Sequence, residues 1–242
     1  MFVIYSRAFI CKFKIQKINI MIKTVAVHTA IALVEQITML FKDHLPDVKL
    51  NHIVDDSLIQ EVIANNQVTP AVRKRLFNYY FAAVDAGANL IFNICSSVGE
   101  VAEKARSFVP IPILKIDDPM AIEAVQKGTH IGVLATLPTT LQPTVNLLKN
   151  KAKEENKSIK VIEGLAKGAF QAVISGDHDT HDKLIIEASD KIADKVDIIV
   201  LAQGSMARME TELSKVTGKP VLSSPLSGVL GVKEYLAKKK LI

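Results

Sequence analysis

The chain has no tryptophan, only two cysteines and 5% aromatic residues. Cys11 and Cys95 are too few for a disulfide framework, which points to a reducing, cytoplasmic setting. No apolar run approaches the ~18 residues that span a bilayer, so neither a transmembrane helix nor a membrane partner is expected. No GxGxxG or Walker-type loop occurs, which leaves nucleotide binding without support. Nor is there an aromatic-interleaved basic patch. The net charge of +5 comes mostly from Arg7, Lys12, Lys14 and Lys17 in an acid-free first twenty residues. Without them the chain is close to neutral, and nucleic acid is not an expected partner.

The first twenty residues also lack a convincing apolar core and cleavage site for a signal peptide. They are expected to be an extension outside the fold, with a basic organellar presequence as the alternative. From Thr24 onward, short apolar runs alternate with segments of helical periodicity. That pattern predicts βαβ units and parallel sheets, an α/β fold. In a chain of 242 residues there is room for one large core or two smaller domains.

The stretch Asn89–Glu100, NLIFNICSSVGE, reads as a buried strand, a tight turn and a helix start, with Cys95 in the turn. Backbone N–H groups and the positive helix end are expected to lower its pKa and favour the thiolate. The opposing reading is that a free cysteine often serves as a small buried hydrophobe. The surroundings of Cys95 recur further on. Leu90–Ser97, a helix and Pro112-Ile113-Leu114 are echoed by Val200–Met206, a helix and Pro220-Val221-Leu222. Ile131–Thr136 likewise echoes Val25–Thr29. This register sets Cys95 opposite Ser205, an offset of 110 residues. It implies two similar doubly wound domains about a pseudo-twofold axis, 21–117 plus 226–242 and 118–225, with the site in the cleft between them. Ligands of such sheets sit beyond the carboxyl ends of the strands.

Other residues at those strand ends become candidates. His28 and Thr29 end the first strand. Thr136, Thr139 and Thr140 follow a strand and open a helix, where hydroxyls can cap the helix, bind an anion, or both. Ser96 and Ser97 are placed similarly, and Gln203 and Met206 flank the second turn. The run Gly176–Asp182, GDHDTHD, gathers histidines and aspartates without a nearby cysteine. It is read as a polar loop capped by Asp179 or Thr180, and no metal is expected.

CSSVGE at 95–100, IGVLAT-x-x-TT at 131–140 and LAQGSMARM at 201–209 together resemble the aspartate/glutamate racemase superfamily. Hydantoin racemases, maleate isomerases and arylmalonate decarboxylases share that superfamily. The resemblance covers roughly residues 21–242. It implies a cofactor-free, two-domain enzyme in which one cysteine per domain faces a small carboxylate. Cys95 matches the first cysteine, and Ser205 is read as standing at the second. The expectation is a pyridoxal-independent racemase or isomerase of an amino acid such as aspartate or glutamate, or of a related dicarboxylate. Cys95 would be its acid/base and Ser205 a hydrogen-bond donor. Ser96, Ser97, Thr139 and Thr140 would hold carboxylates. The alternatives are a single-thiol decarboxylase or cis–trans isomerase, or a non-catalytic carboxylate-binding protein. A homodimer is compatible with exposed helices on such domains.

Overall fold

The computed structural model describes residues 21–242. The expected extension 1–20 lies outside the described residues, as does Cys11. Strands and helices alternate as β1 (Lys23–His28), α1 (Val34–His44), β2 (Lys49–Val54), α2 (Ser57–Asn65), α3 (Pro70–Asp85), β3 (Leu90–Asn93), α4 (Gly99–Ala105) and β4 (Ile113–Lys115). The pattern restarts with α5 (Asp118–Lys127), β5 (His130–Ala135), α6 (Pro138–Glu154), β6 (Lys160–Leu165), α7 (Ala169–Ile174), α8 (His178–Ala193), β7 (Ile198–Leu201), α9 (Glu210–Thr217), β8 (Val221–Leu222) and α10 (Ser224–Lys238). Two parallel sheets result, in the orders β2-β1-β3-β4 and β6-β5-β7-β8. None of the described helices is long and apolar enough to cross a membrane.

The central strands β3 and β7 are buried along their whole length, as strands covered by helices on both faces must be. Side-chain alternation sorts the first sheet. Val25, Val27 and Ile91 pack with α2, α3 and α4, while Ala26, Leu90 and Phe92 pack with α1 and α10. In the second sheet Ile131 and Val133 face α5 and α6, and Leu134 and Ile199 face α8 and α9. The last helix therefore returns to the first sheet, with Val229, Val232 and Leu236 in its core. Gly228 permits that return, because a Cβ there would stand 2.6 Å from the Ile116 carbonyl oxygen.

Caps follow local chemistry. Thr69 accepts a bond from the Val72 N–H with Pro70 at the first helical position. Gly87 ends the following turn at φ +76°. The GDHDTHD run departs from expectation. It is largely the first turns of α8 rather than a loop, and its cap is Asp177, which accepts from the Thr180 N–H at 3.0 Å. Gly176, at φ +82°, ends the preceding helix. Buried His181 then pairs with Asp182 and lies against Arg208.

Candidate active site

At the carboxyl end of β3 the chain leaves the sheet through Ile94 and Cys95 and enters a 3₁₀ turn, Ser96–Val98. At the end of β7 it leaves through Ala202 and Gln203 and enters a longer 3₁₀ turn, Gly204–Met209. Both turns line one cavity of 230 Å³, and Cys95, Gln203 and Ser205 are all in its wall. The cavity is closed from the first half by Leu33, which approaches the second turn so tightly that a Cβ on Gly204 would lie 2.6 Å from its Cδ1.

The backbone settles which residues correspond. The N–H of Ile94 donates to the Val27 carbonyl and that of Ala202 to the Leu134 carbonyl, both at 2.9 Å. Likewise Ile91 N–H reaches Pro112 and Ile199 N–H reaches Pro220. Ile94 and Ala202, Ile91 and Ile199, and Pro112 and Pro220 are each 108 positions apart, and Val27 and Leu134 are 107 apart. Cys95 therefore corresponds to Gln203, both in extended backbone at the head of a 3₁₀ turn, and Ser205 corresponds to Ser97. The 110-residue register is corrected by two. Small residues on both sides of the turn match equally well by eye, and only the ladder fixes the alignment.

The sulfur is half-buried. Burial pushes the Cys95 thiol up from its ordinary value. The Thr29 hydroxyl and the N–H groups of Ser97 and Val98 pull it down by less. This reverses the expected thiolate, because the helix-start donors are outweighed by the apolar surroundings. The Ser97 hydroxyl lies beside the sulfur and is buried with no other partner. Behind the site, Asn93 Nδ2 donates to the Cys95 carbonyl at 3.0 Å, and the hydroxyl of fully buried Tyr80 donates to Asn93 Oδ1 at 2.9 Å. Across the cavity Gln203 is held differently. Its Oε1 accepts the Thr136 N–H at 2.9 Å and its Nε2 donates to Thr136 Oγ1.

Of the expected residues, Thr29, Ser96, Ser97, Thr140, Gln203 and Ser205 join Cys95 in the wall. Four do not. His28 is 1% exposed, and its Nε2 meets His52 Nδ1 at 2.9 Å instead of the cavity. Met206 lies in the core beneath the second sheet. Thr136 is a brace for Gln203. Thr139 faces a separate 620 Å³ cleft, which also reaches Ser97. Neither Thr139 nor Thr140 caps α6; Thr140 Oγ1 instead donates to the Leu137 carbonyl at 2.9 Å. The residues that sequence reasoning missed are mostly apolar, among them Leu33, Ile59, Leu137 and Phe170, with Ser224 the polar exception. A hydrophobic residue in a helix or turn carries no sequence signal that it faces a ligand.

Comparison with known proteins bears on the fold and the family. Among curated proteins nothing matches. Among solved structures, the glutamate racemase of Francisella tularensis subsp. tularensis SCHU S4, in complex with D-glutamate, superposes with a TM-score of 0.73 at 13% identity. That match covers 92% of this chain and 83% of the other. The aspartate racemase of Picrophilus torridus gives 0.67 at 13% identity, covering 91% and 98%. The allantoin racemase of Klebsiella pneumoniae gives 0.63 at 15% identity, covering 90% and 89%. These likenesses show the fold. The family model described as Asp/Glu/Hydantoin racemase matches residues 22–230, and the chain belongs to that family.

Proposed function

We propose that this protein is a cofactor-independent isomerase of a small carboxylate in which Cys95 is the one thiol that moves a proton. The observation that carries the reading is the shared cavity, with the sulfur on one strand-end turn and Gln203 and Ser205 on the other. At rest the group is S–H, since burial holds its pKa up. It can deliver a proton to a carbanion formed beside a carboxylate, and it must first lose its own proton to act as a base. The Ser205 hydroxyl is a neutral donor suited to a carboxylate or developing oxyanion.

Gln203 favours a second reading. A carboxamide neither gives nor takes a proton near neutral pH, so symmetric racemisation between two bases lacks its second group. Decarboxylation with protonation from one face needs only one thiol, as does cis–trans isomerisation through a thiol adduct. Reaction in deuterated water separates them. Racemisation exchanges the α-hydrogen and yields both enantiomers, decarboxylation releases carbon dioxide, and covalent isomerisation leaves an adduct visible by mass spectrometry. Cys95→Ala should abolish turnover across a panel of small carboxylates while leaving the circular dichroism spectrum and melting curve intact. A fully active variant excludes the mechanism.

A further inference from the structure

We infer that the Cys95 cavity selects a carboxylate with an apolar body and no ammonium group, and so discriminates against α-amino acids. The inference deepens the proposed function by naming the substrate class of that same site. Every described side chain in the cavity wall is uncharged. Leu33, Ile59, Ile94, Ile116, Leu137 and Phe170 make the apolar part. The polar part is hydroxyls, one thiol and one carboxamide.

Polar groups with a donor left over stand on both turns. Gln203 has its acceptor engaged by the Thr136 N–H, while only one of its two amide N–H bonds has a partner. Ser97 is 5% exposed, and its hydroxyl has no oxygen or nitrogen to bond. Ser205 adds another hydroxyl from the opposite turn. Such donors suit a carboxylate. An ammonium brought into the same space would meet apolar walls and no carboxylate, and a buried charge without a counter-charge is strongly disfavoured. Buried Asp117, next in sequence to the wall residue Ile116, does not line the cavity: it bonds the Ser96 hydroxyl and sits beside Lys115 in the neighbouring cleft, so its carboxyl is already partnered. At 230 Å³ the cavity is also smaller than the ~300–1,000 Å³ of drug-sized sites, which limits the body to a short branched chain or a single ring.

The test is titration calorimetry of the full chain with matched pairs that differ only by the α-ammonium: 4-methylpentanoate against leucine, 3-phenylpropanoate against phenylalanine, and succinate against aspartate. The des-amino member should bind about 10-fold tighter or more in the first two pairs, consistent with the cost of an unpaired charge, and either apolar monocarboxylate should outbind succinate. Ser205 is exposed, so Ser205→Asp can carry a new charge on the wall, and it should shrink or reverse the preference. Ser205→Asn should leave the preference in place. Equal or tighter binding of the amino acids, no binding by any member, or no response to Ser205→Asp overturns the inference. Calorimetry does not depend on turnover. The expected preference without catalysis would sink only the catalytic reading, and turnover of an α-amino acid at Cys95 would sink only this one.

Discussion

His28 gives a stability prediction whose size follows from its surroundings. The Thr38 hydroxyl donates to the Val34 carbonyl at 2.7 Å, so His52 Nε2, 3.0 Å from Thr38 Oγ1, must donate to that hydroxyl oxygen. His52 Nδ1 is then the acceptor for the His28 Nε2–H, and His28 Nδ1 is left as a buried lone pair without a partner. Burial, and secondarily the charge of His52, lower the His28 pKa from 6.5 to about 4. Above pH 6.5 both folded and unfolded chains hold it neutral and it adds no pH dependence. As pH falls below 6.5 the unfolded chain takes up a proton that the folded chain refuses, and stability drains away until the folded pKa is reached. The whole gap is about 3 kcal/mol, of which about 2 kcal/mol is lost by pH 5. With a urea slope of about 2–3 kcal/mol per molar, the unfolding midpoint should fall by about 0.7–1 M between pH 7.5 and 5 from this residue alone. His28→Gln keeps an N–H for His52 and removes the titration, so the difference between wild type and variant isolates the histidine pair from every other group. Parallel midpoint curves for the two proteins over that range would refute the assignment. The same variant should retain ligand binding, because His28 does not line the cavity.

The raised thiol pKa predicts that iodoacetamide alkylation of Cys95, followed by peptide mass spectrometry, has a pH midpoint above the ordinary value of 9. A midpoint below about 8 would contradict it. Gln203→Cys restores a thiol opposite the first and should raise solvent-deuterium exchange at the substrate carbon, with loss of optical rotation, by about 10-fold or more. An unchanged exchange rate would count against the 108-residue register. Gly228→Ala should cost about 1–3 kcal/mol by overpacking, because its Cβ would meet the Ile116 carbonyl at 2.6 Å and Cγ1 at 2.8 Å, and α10 must lift off the first sheet. Thermal melts should show a clear fall there and a smaller one for Gly204→Ala, whose obstacle is the movable end of Leu33.

Much of the architecture was legible because its signals are local. Period-two and period-3.6 patterning, Thr69-Pro70 and Gly87 each act within a few residues, and the strand-turn-helix around Cys95 was visible as such. The site was legible only to the level of which turns matter. His28 and Thr29 are neighbours at one strand end, yet they end up on different duties. His28 is claimed by His52, a residue of the paired strand β2, and that contact depends on tertiary packing. The sulfur's environment was misjudged for a related reason. A helix start can be read from sequence, whereas desolvation arises from apolar groups that converge from both halves of the chain.

The two lips of the cavity are built alike in backbone and held by opposite means. On the first, Asn93, itself held by Tyr80, grips the Cys95 carbonyl, which fixes the turn and leaves the thiol itself free of strong partners. On the second, Thr136 grips the side chain that occupies the equivalent place, so the Gln203 amide is fixed as a donor. A symmetric reaction would want two groups equally able to gain and lose a proton. Here one lip carries a proton that can be transferred and the other a dipole that cannot. Under the proposed function, this asymmetry would put proton transfer at the face of the substrate nearest Cys95 and orientation at the face nearest Gln203. Because the bracing differs, substitution at Thr136 should disturb the second role and leave the first in place.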